Sequence, residues 1–166
     1  MEPRMQEAKM EHSMDNGKMP SMYGKLAIAV TINSILMFFL MYLMIDSIDH
    51  FYFTLNNFYM TLAMAAPMVI VMVLVMRQMY KEPKKNRIIL VLATIVFILV
   101  VFFVRTQTTI GDREFTISMI PHHSSAILMC EKAKLTDPEL ITLCEEIVQT
   151  QQEEIAQMEA ILERLD

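Results

Sequence analysis

The residues with the clearest capacity for chemistry lie in one short segment, MIPHHSSAILMC, which runs from Met119 to Cys130. The segment holds two adjacent imidazoles, His122 and His123, and a second thioether, Met129. Thioether and thiolate sulfurs favour Cu(I), whereas imidazole suits copper, zinc or nickel. Spaced along a helix, these side chains predict a site for a soft metal ion, with the two histidines as its main ligands.

A second helix, further along the chain, is expected to supply the remaining groups. Met158 is the thioether that we expect to approach the histidines from that helix. Gln151 is a polar residue on its otherwise apolar face, and we expect it to lie opposite His123. Gln151, Gln152 and Glu154 would support the ligands by hydrogen bonds. In the alternative interpretation, the methionines only fill a core and His123 bonds Gln151 without a metal.

No enzymatic activity is predicted. The sequence has no evident nucleophile–base pair and no glycine-rich phosphate loop. Ferritin-like di-iron sites place glutamate three residues ahead of histidine, but Met119 and Ile120 hold those positions before His122 and His123. The net charge of −5 offers no basic face for nucleic acid.

The two cysteines, Cys130 and Cys144, admit three alternatives. Helical spacing places them opposite one another across a turn, so a disulfide between them is sterically allowed. They could instead supply thiolates to the metal, or remain inert thiols in the core. A bridged pair has no thiolate to give to copper, so the first two alternatives exclude one another.

Two amphipathic helices must carry these residues. Apolar side chains recur at helical spacing over residues 113–134 and again over 138–165. Asp137 can cap the start of the second helix, with Thr136 as the alternative cap. The short connection predicts an antiparallel hairpin. Two helices alone leave an apolar face uncovered, so we expect a homo-oligomer or another packing partner to complete a bundle of about four helices.

Three apolar runs upstream are each long enough to cross a bilayer, which takes about 20 residues. They cover residues 26–45, 58–76 and 88–104, and none contains a charged residue. No small-residue cleavage pattern follows the first run, so we interpret it as a retained signal anchor. The predicted fold class is therefore all-α, with three transmembrane helices followed by an extramembrane two-helix hairpin.

The predicted domains are a disordered methionine-rich tail (1–24), a transmembrane region (25–105) and the hairpin domain (106–166). Lysine and arginine concentrate before the first span and between the second and third, so both segments are expected in the cytoplasm. The first loop and everything after Val104 would then lie outside, where disulfides persist. We interpret the acidic first loop, including His50, as solvated.

Methionine recurs at every fourth position of the second span. Because four residues exceed one helical turn by about 40°, the sulfurs wind slowly around the helix. They could line a path for a soft cation, or simply pack helices in lipid, which we favour. Pro67 is expected to kink this helix, and Asn33 of the first span to form an interhelical hydrogen bond. The methionine ladder consists of Met60, Met64, Met68, Met72 and Met76.

One longer pattern extends over residues 111–165. An acidic residue and a phenylalanine precede Met-x-x-His-His, and a Pro-Glu helix start is followed by Gln-x-Glu-Ile-x-x-Met. The residues of the pattern are Asp112, Phe115, Met119, His122, His123, Ala126, Met129, Pro138, Glu139, Gln152, Glu154, Ile155 and Met158. This pattern resembles the domain of unknown function 305 family. The resemblance implies a ferritin-like fold, usually of two such hairpins, in typically bacterial, exported or membrane-attached proteins, some of which bind copper in the periplasm.

The combined expectation is a protein of the bacterial inner membrane, held in lipid, with a cytoplasmic N-terminus and a periplasmic or extracellular helical domain. It would bind copper, as Cu(I), for tolerance or trafficking. The two histidines would be joined by donors from the set Met119, Met158, Met129 and Cys130. One alternative is a metal-free structural protein whose hairpin mediates oligomerisation or partner docking. A further alternative is a copper channel or transporter that uses the methionine ladder.

Overall fold

A computed structural model describes residues 21–165, and all regular structure in this range is helical. The predicted all-α class is therefore confirmed for this part of the chain. The segment predicted to be disordered lies outside the described residues as far as residue 20. One short 3-10 turn spans Ile48–His50. The five α-helices are α1 (Met22–Leu40), α2 (Leu55–Val75), α3 (Pro83–Thr106), α4 (Asp112–Lys132) and α5 (Pro138–Leu165).

Helices α1 to α3 are each long and apolar enough to cross a membrane. Many of their large apolar side chains are exposed, as expected of surfaces that face lipid. A buried threonine caps α2, because the Thr54 hydroxyl accepts a hydrogen bond of 3.1 Å from the Asn57 backbone N–H. The three apolar runs therefore form helices suited to membrane association, while their orientation across the bilayer stays a prediction.

The first of these helices ends earlier than its apolar run predicts. α1 stops at Leu40, although apolar residues continue to Ile45. The Tyr42 hydroxyl donates to the backbone carbonyl of Tyr52, and the Tyr42 ring centroid lies 4.4 Å from that of Phe51. Residues 41–44 continue as tight turns, in which the N–H groups of Tyr42 and Ile45 bond carbonyls three residues earlier. The apolar run therefore ends in turns rather than in α-helix.

Helix α2 packs against both α1 and α3. Small buried residues, Ala65 and Ala66 on α2 and Ala93 on α3, allow close approach of helix backbones. The Asn33 side-chain amide of α1 donates to the Met68 sulfur of α2 at 2.9 Å. This contact confirms the predicted interhelical hydrogen bond and fixes how α1 and α2 face one another.

Helices α4 and α5 pack against one another beyond the three spans. Their core consists of Ile120, Ile127 and Ile155, and Tyr52 packs against the same cluster. Tyr52 belongs to the loop between α1 and α2 (residues 41–54), here called the outer loop after the side of the membrane that the charge pattern predicts for it. The outer loop therefore covers part of the apolar surface that two helices alone would leave open.

The buried face of α4 differs from the one that helical spacing predicts. Spacing puts Met119 and His123 at its centre, with Ile120 and Ile127 at one flank. In the structure Ile120 and Ile127 are 0% and 2% exposed, whereas Met119 and His123 are half-buried. Because α5 and the outer loop both contact α4, burial is deepest between those two neighbours rather than along the α5 side alone.

The connection between α4 and α5 is short, and α5 begins at the predicted position. The Asp137 side chain accepts a hydrogen bond of 2.9 Å from the Leu140 backbone N–H. Pro138 follows as the first helical residue, where the missing N–H would have had no intrahelical partner. Of the two predicted caps, Asp137 is the one that the chain uses.

Candidate metal centre

His123 is held by both of its ring nitrogens. Nδ1 lies 2.8 Å from the backbone carbonyl oxygen of Met119, and Nε2 lies 2.9 Å from Glu154 Oε2 on α5. Because a carbonyl oxygen can only accept, Nδ1 must carry a proton and donate it. The ring is therefore fixed with Nε2 directed at the Glu154 carboxylate.

The Nε2–Glu154 contact has three chemical forms, the first being a protonated Glu154 carboxyl that donates to Nε2 of a neutral ring. With an ionised carboxylate, Nε2 must also carry a proton, and the contact is an imidazolium–carboxylate ion pair. Alternatively, a cation replaces that proton and is shared by the nitrogen and the oxygen. The His123 side chain is 12% exposed and that of Glu154 45% exposed, so the pair sits at the edge of the core with access to solvent.

Gln151 takes a different place from the predicted one. Its side-chain amide does not bond the His123 ring but donates at 3.2 Å to Glu154 Oε2, the same oxygen that contacts His123. Side chains lean toward the N-terminus of their own helix, so His123 leans away from the α4–α5 turn and meets a residue further along α5. Glu154, predicted only to support the ligands, is the direct partner of His123, and Gln151 supports Glu154.

His122 is exposed, contrary to the prediction that both imidazoles point into the bundle. Its ring centroid lies 6.0 Å from that of His123. Successive residues on a helix point about 100° apart, so only one of two adjacent histidines can face α5. His122 therefore presents its nitrogens to solvent beside the His123–Glu154 pair.

The predicted methionine donors differ in how close they lie to the His123–Glu154 pair. Met119 is half-buried one turn before His123, and Met158 packs against the isoleucine core one turn after Glu154. Met129 is 58% exposed, and it follows His122 by two turns, about 10.5 Å along the helix. Met129 thus lies exposed, two turns from His122, and its role as a metal donor stays a prediction.

The cysteines are joined to each other. Cys130 and Cys144 form a disulfide with their Cα atoms 5.3 Å apart, so both cysteines of the chain are bridged. A disulfide sulfur carries no thiolate, which removes Cys130 from the predicted metal donors in this oxidised form. Gln152, predicted to support the ligands, is exposed and lines a cleft at this disulfide.

Within residues 21–165, no group of three or more histidine, cysteine, aspartate or glutamate side chains converges as a ready metal cage. His123 and Glu154 supply two donors, a nitrogen and an oxygen, on two helices. Further donors for an ion at this point would have to be thioethers, the neighbouring His122, water or a second chain.

Sequence reasoning missed a second cluster, centred on Ser124. This serine is 0% exposed; its Oγ accepts a hydrogen bond of 2.7 Å from the Asp46 backbone N–H and lies 2.8 Å from His50 Nδ1. Both partners belong to the outer loop, so the interpretation of that loop as merely solvated is wrong at His50. The one available signal was a serine directly after His123, on a face otherwise occupied by isoleucine.

Further contacts extend the attachment of the outer loop to α4. The Ser125 hydroxyl donates to the Met44 carbonyl at 3.1 Å. At the far end of the loop, the Leu55 backbone N–H donates to Glu114 Oε2 at 3.3 Å, where a carboxylate favourably meets a helix N-terminus. These bonds place the outer loop and α4 on the same side of the spans, as the charge pattern predicts.

The surroundings of the methionine ladder change along α2. Met60 is 39% exposed, Met68 accepts the Asn33 amide, and Met72 and Met76 pack near the buried cluster of Leu26, Val73 and Tyr80. The ladder therefore winds from an exposed face into helix contacts. A continuous path along it would need additional chains, and it stays a prediction.

Comparison with known proteins identifies the family of the helical domain. The family model described as "Domain of unknown function (DUF305)" matches residues 104–162, which include α4 and nearly all of α5. The uncharacterized protein L153 of Acanthamoeba polyphaga mimivirus is 33% identical over 120 residues, covering 71% of this chain and 77% of that protein. No solved structure matches the chain. From the residues matched and the extent of this likeness, the chain belongs to the DUF305 family.

Proposed function

We propose that this chain is a membrane-anchored copper-binding protein, with the ion held at His123 and Glu154. The observation that carries the proposal is the fixed His123 ring, whose Nδ1 is bonded to the Met119 carbonyl and whose Nε2 lies 2.9 Å from a carboxylate oxygen. Copper held there would serve tolerance or trafficking of the metal, in keeping with the resemblance noted in the sequence.

The geometry of His123 suits a metal ligand. A ligating histidine usually donates its other ring N–H to a carbonyl or carboxylate, which fixes the tautomer, and Met119 provides that carbonyl. For a nitrogen and an oxygen each about 2.1 Å from one ion, a separation of 2.9 Å corresponds to an angle of about 90° at the metal. The two atoms can therefore become adjacent ligands with little movement.

The surrounding sulfurs favour copper. Met119 and Met158 lie one helical turn from His123 and Glu154 respectively, and thioethers select Cu(I). His122, with a centroid 6.0 Å from the His123 ring, can add a second imidazole by side-chain rotation. The proposed soft donors for Cu(I) are His123, His122, Met119 and Met158, and the Glu154 carboxylate adds a weaker oxygen contact and a neutralising negative charge beside them.

The experiment is competition for Cu(I) against a chromophoric chelator, with the full chain purified in detergent. His123→Ala and Glu154→Gln are each expected to weaken Cu(I) binding by about 10-fold or more. Glu153→Gln is the matched control, because Glu153 precedes Glu154 on α5 but is exposed and bonded to Gln149. If the double variant His122→Ala/His123→Ala binds Cu(I) as wild type does, the proposal is wrong.

The same proposal includes an antiparallel α4–α5 hairpin that acts as half of a ferritin-like bundle and is completed by a second copy. The beginning of α5 supports it, since Leu140, Ile141 and Leu143 are 39–49% exposed there and apolar surface of this kind favours association. Light scattering on the full chain in detergent would measure the oligomer. A monomer over the working concentration range would exclude the bundle.

We further propose that the helical domain faces out of the cell, with the N-terminus in the cytoplasm. The lysine and arginine pattern supports this orientation, and so does the Cys130–Cys144 disulfide, since disulfides are rare in reducing cytosol. Protease added to cells whose outer membrane, where present, has been removed should cleave a C-terminal tag and spare an N-terminal one. The reverse pattern would place the domain in the cytosol and remove the basis for an external copper site.

A metal-free assembly role is the second candidate, favoured by a different observation. His123, Glu154 and Gln151 satisfy one another without an ion, and the adjacent Ser124 anchors the outer loop. In this case copper leaves the melting temperature of the full chain unchanged, while His123→Ala lowers it. A copper-dependent rise in melting temperature that His123→Ala abolishes would exclude the assembly role as the whole explanation.

A further inference from the structure

The disulfide lies in an open cleft of about 570 Å³ at the end of α4 and the beginning of α5. Both cysteines are half-buried, so their sulfurs can be reached from the cleft. The polar residues that line it, besides the cysteines, are Glu131, Glu145, Gln149 and Gln152. Apart from the cysteines, the cleft thus offers oxygen- and amide-bearing groups on an apolar floor.

This cleft is separate from the histidine site. Cys130 follows His123 by two helical turns, a rise of about 10.5 Å, and Cys144 precedes Glu154 by a still longer stretch of α5. A single ion cannot bridge such distances. An ion bound at the cysteines would therefore be additional to an ion at His123. Binding at the cysteines does not depend on the proposed copper site at His123.

The charges of the cleft argue against a thiol–disulfide exchange enzyme. Reactive thiolates are stabilised by nearby lysine, arginine or protonated histidine, whereas the residues lining this cleft include two glutamates and no cationic side chain. Lys132 lies 3.9 Å from Glu131 but does not line the cleft. An acidic setting disfavours free thiolates and favours a bound cation, which itself displaces the thiol protons.

We propose that the reduced Cys130–Cys144 pair is a second metal site, one that takes a soft ion such as Cu(I). The Cα separation of 5.3 Å allows both sulfurs to reach one ion, and two thiolates satisfy the preference of Cu(I) for soft ligands. The disulfide closes this site and its reduction opens it, so soft-ion capacity in the domain depends on redox state.

Opening and loading of the cysteine site take two steps, reduction of the disulfide and binding of the ion. A dithiol reductant gives two electrons and two protons to the Cys130–Cys144 bond, breaks it, and becomes a disulfide itself. The two thiols then bind one Cu(I) as thiolates, and two protons pass to solvent. Glu131 and Glu145 attract the incoming cation, so the bis-thiolate complex forms beside them in the cleft.

The test compares oxidised and reduced wild-type chain, in detergent and without oxygen, after removal of the dithiol. Cu(I) is supplied as its chelator complex, and bound copper per chain is measured. The reduced chain is expected to bind roughly one more Cu(I) than the oxidised chain. Reduced wild type whose thiols have been alkylated serves as a control that needs no mutation, and it should lose the increment.

Two variants separate this site from the histidine site. Cys130→Ser/Cys144→Ser should bind the same amount of Cu(I) under both conditions, while His123→Ala/Glu154→Gln should keep the redox-dependent increment even where its basal binding falls. Absence of an increment in reduced wild type overturns the inference. An increment that survives alkylation or the double serine variant overturns it equally, since the extra ion would then lie elsewhere.

Discussion

The Ser124 hydroxyl makes two of the hydrogen bonds that attach the outer loop to α4. The side chain is 0% exposed, accepts from the Asp46 backbone N–H at 2.7 Å and lies 2.8 Å from His50 Nδ1. Ser124→Ala removes the oxygen and keeps the helix, because alanine is the best helix former. Both loop groups then lose their partner while the isoleucine core remains.

The free-energy cost of Ser124→Ala follows from the number of hydrogen bonds that the variant loses and from their burial. Each hydrogen bond contributes about 1 kcal/mol net, so losing two weakens docking of the outer loop by about 2 kcal/mol. Since 1.4 kcal/mol corresponds to a factor of ten, the undocked population should rise about 30-fold. Ser125→Ala is the matched control: its hydroxyl makes one exposed bond of 3.1 Å to the Met44 carbonyl, worth about 0.5 kcal/mol or roughly twofold.

Hydrogen–deuterium exchange with mass spectrometry measures this opening directly. A peptide covering residues 44–52 should exchange about 30-fold faster in Ser124→Ala and about twofold faster in Ser125→Ala, with α3 unchanged in both. Equal rates in the two variants would refute the assignment of Ser124 as the anchor. Faster exchange throughout α3 as well would refute local docking and indicate loss of the whole fold.

Three further predictions concern stability of the full chain in detergent. The Ile120 side chain is 0% exposed, and Ile120→Ala should lower the free energy of unfolding by about 2–5 kcal/mol. Phe115 on the same helix is 56% exposed, and Phe115→Ala should change the free energy of unfolding by less than about 0.5 kcal/mol. Similar losses in the two variants would contradict the assigned core. Thr54→Ala removes the cap of α2 and should cost about 1 kcal/mol, seen as a lower melting temperature that Thr54→Ser largely restores. Reduction of Cys130–Cys144, which closes a loop with a sequence separation of 14, should cost about 3 kcal/mol by chain entropy; equal melting of α4 and α5 before and after reduction would rule that out.

Several features of the fold can be predicted from the sequence because they are determined by residues close together in the chain. Uninterrupted apolar runs predict three spans, and helices occupy all three regions. Asp137 ahead of Pro138 predicts the start of α5, and the Asp137 side chain caps it. Asn33 in an apolar helix needs a partner, and it finds one on α2. Helix capping acts over a few residues, and a polar residue in an apolar run shows by itself that it needs a partner, so the sequence alone predicts both features.

The end of α1 marks the limit of such reasoning. The apolar run continues to Ile45, yet the α-helix stops at Leu40 and the chain goes on in tight turns, with Tyr42 bonded to the carbonyl of Tyr52 in the outer loop. Likewise, Ser124 looks like an ordinary helix residue until Asp46, 78 residues earlier in the chain, is placed beside it. Contacts between distant segments have no local signature, so the predicted solvated loop proved to be a packed one at His50.

In the candidate metal site, too, some features are predictable from the sequence and others are decided only by the packing of the helices. Residue types and helical spacing select His123 as a group that faces a second helix, and they place Cys130 opposite Cys144. Only the three-dimensional packing decides that His122 is exposed and that Glu154, rather than Gln151, meets His123. Gln151 and Glu154 lie about one helical turn apart on α5. Which of them contacts His123 depends on the direction in which the side chains point along their helices and on the packing of α4 between α5 and the outer loop. Sequence determines which donors are present; packing determines which of them converge.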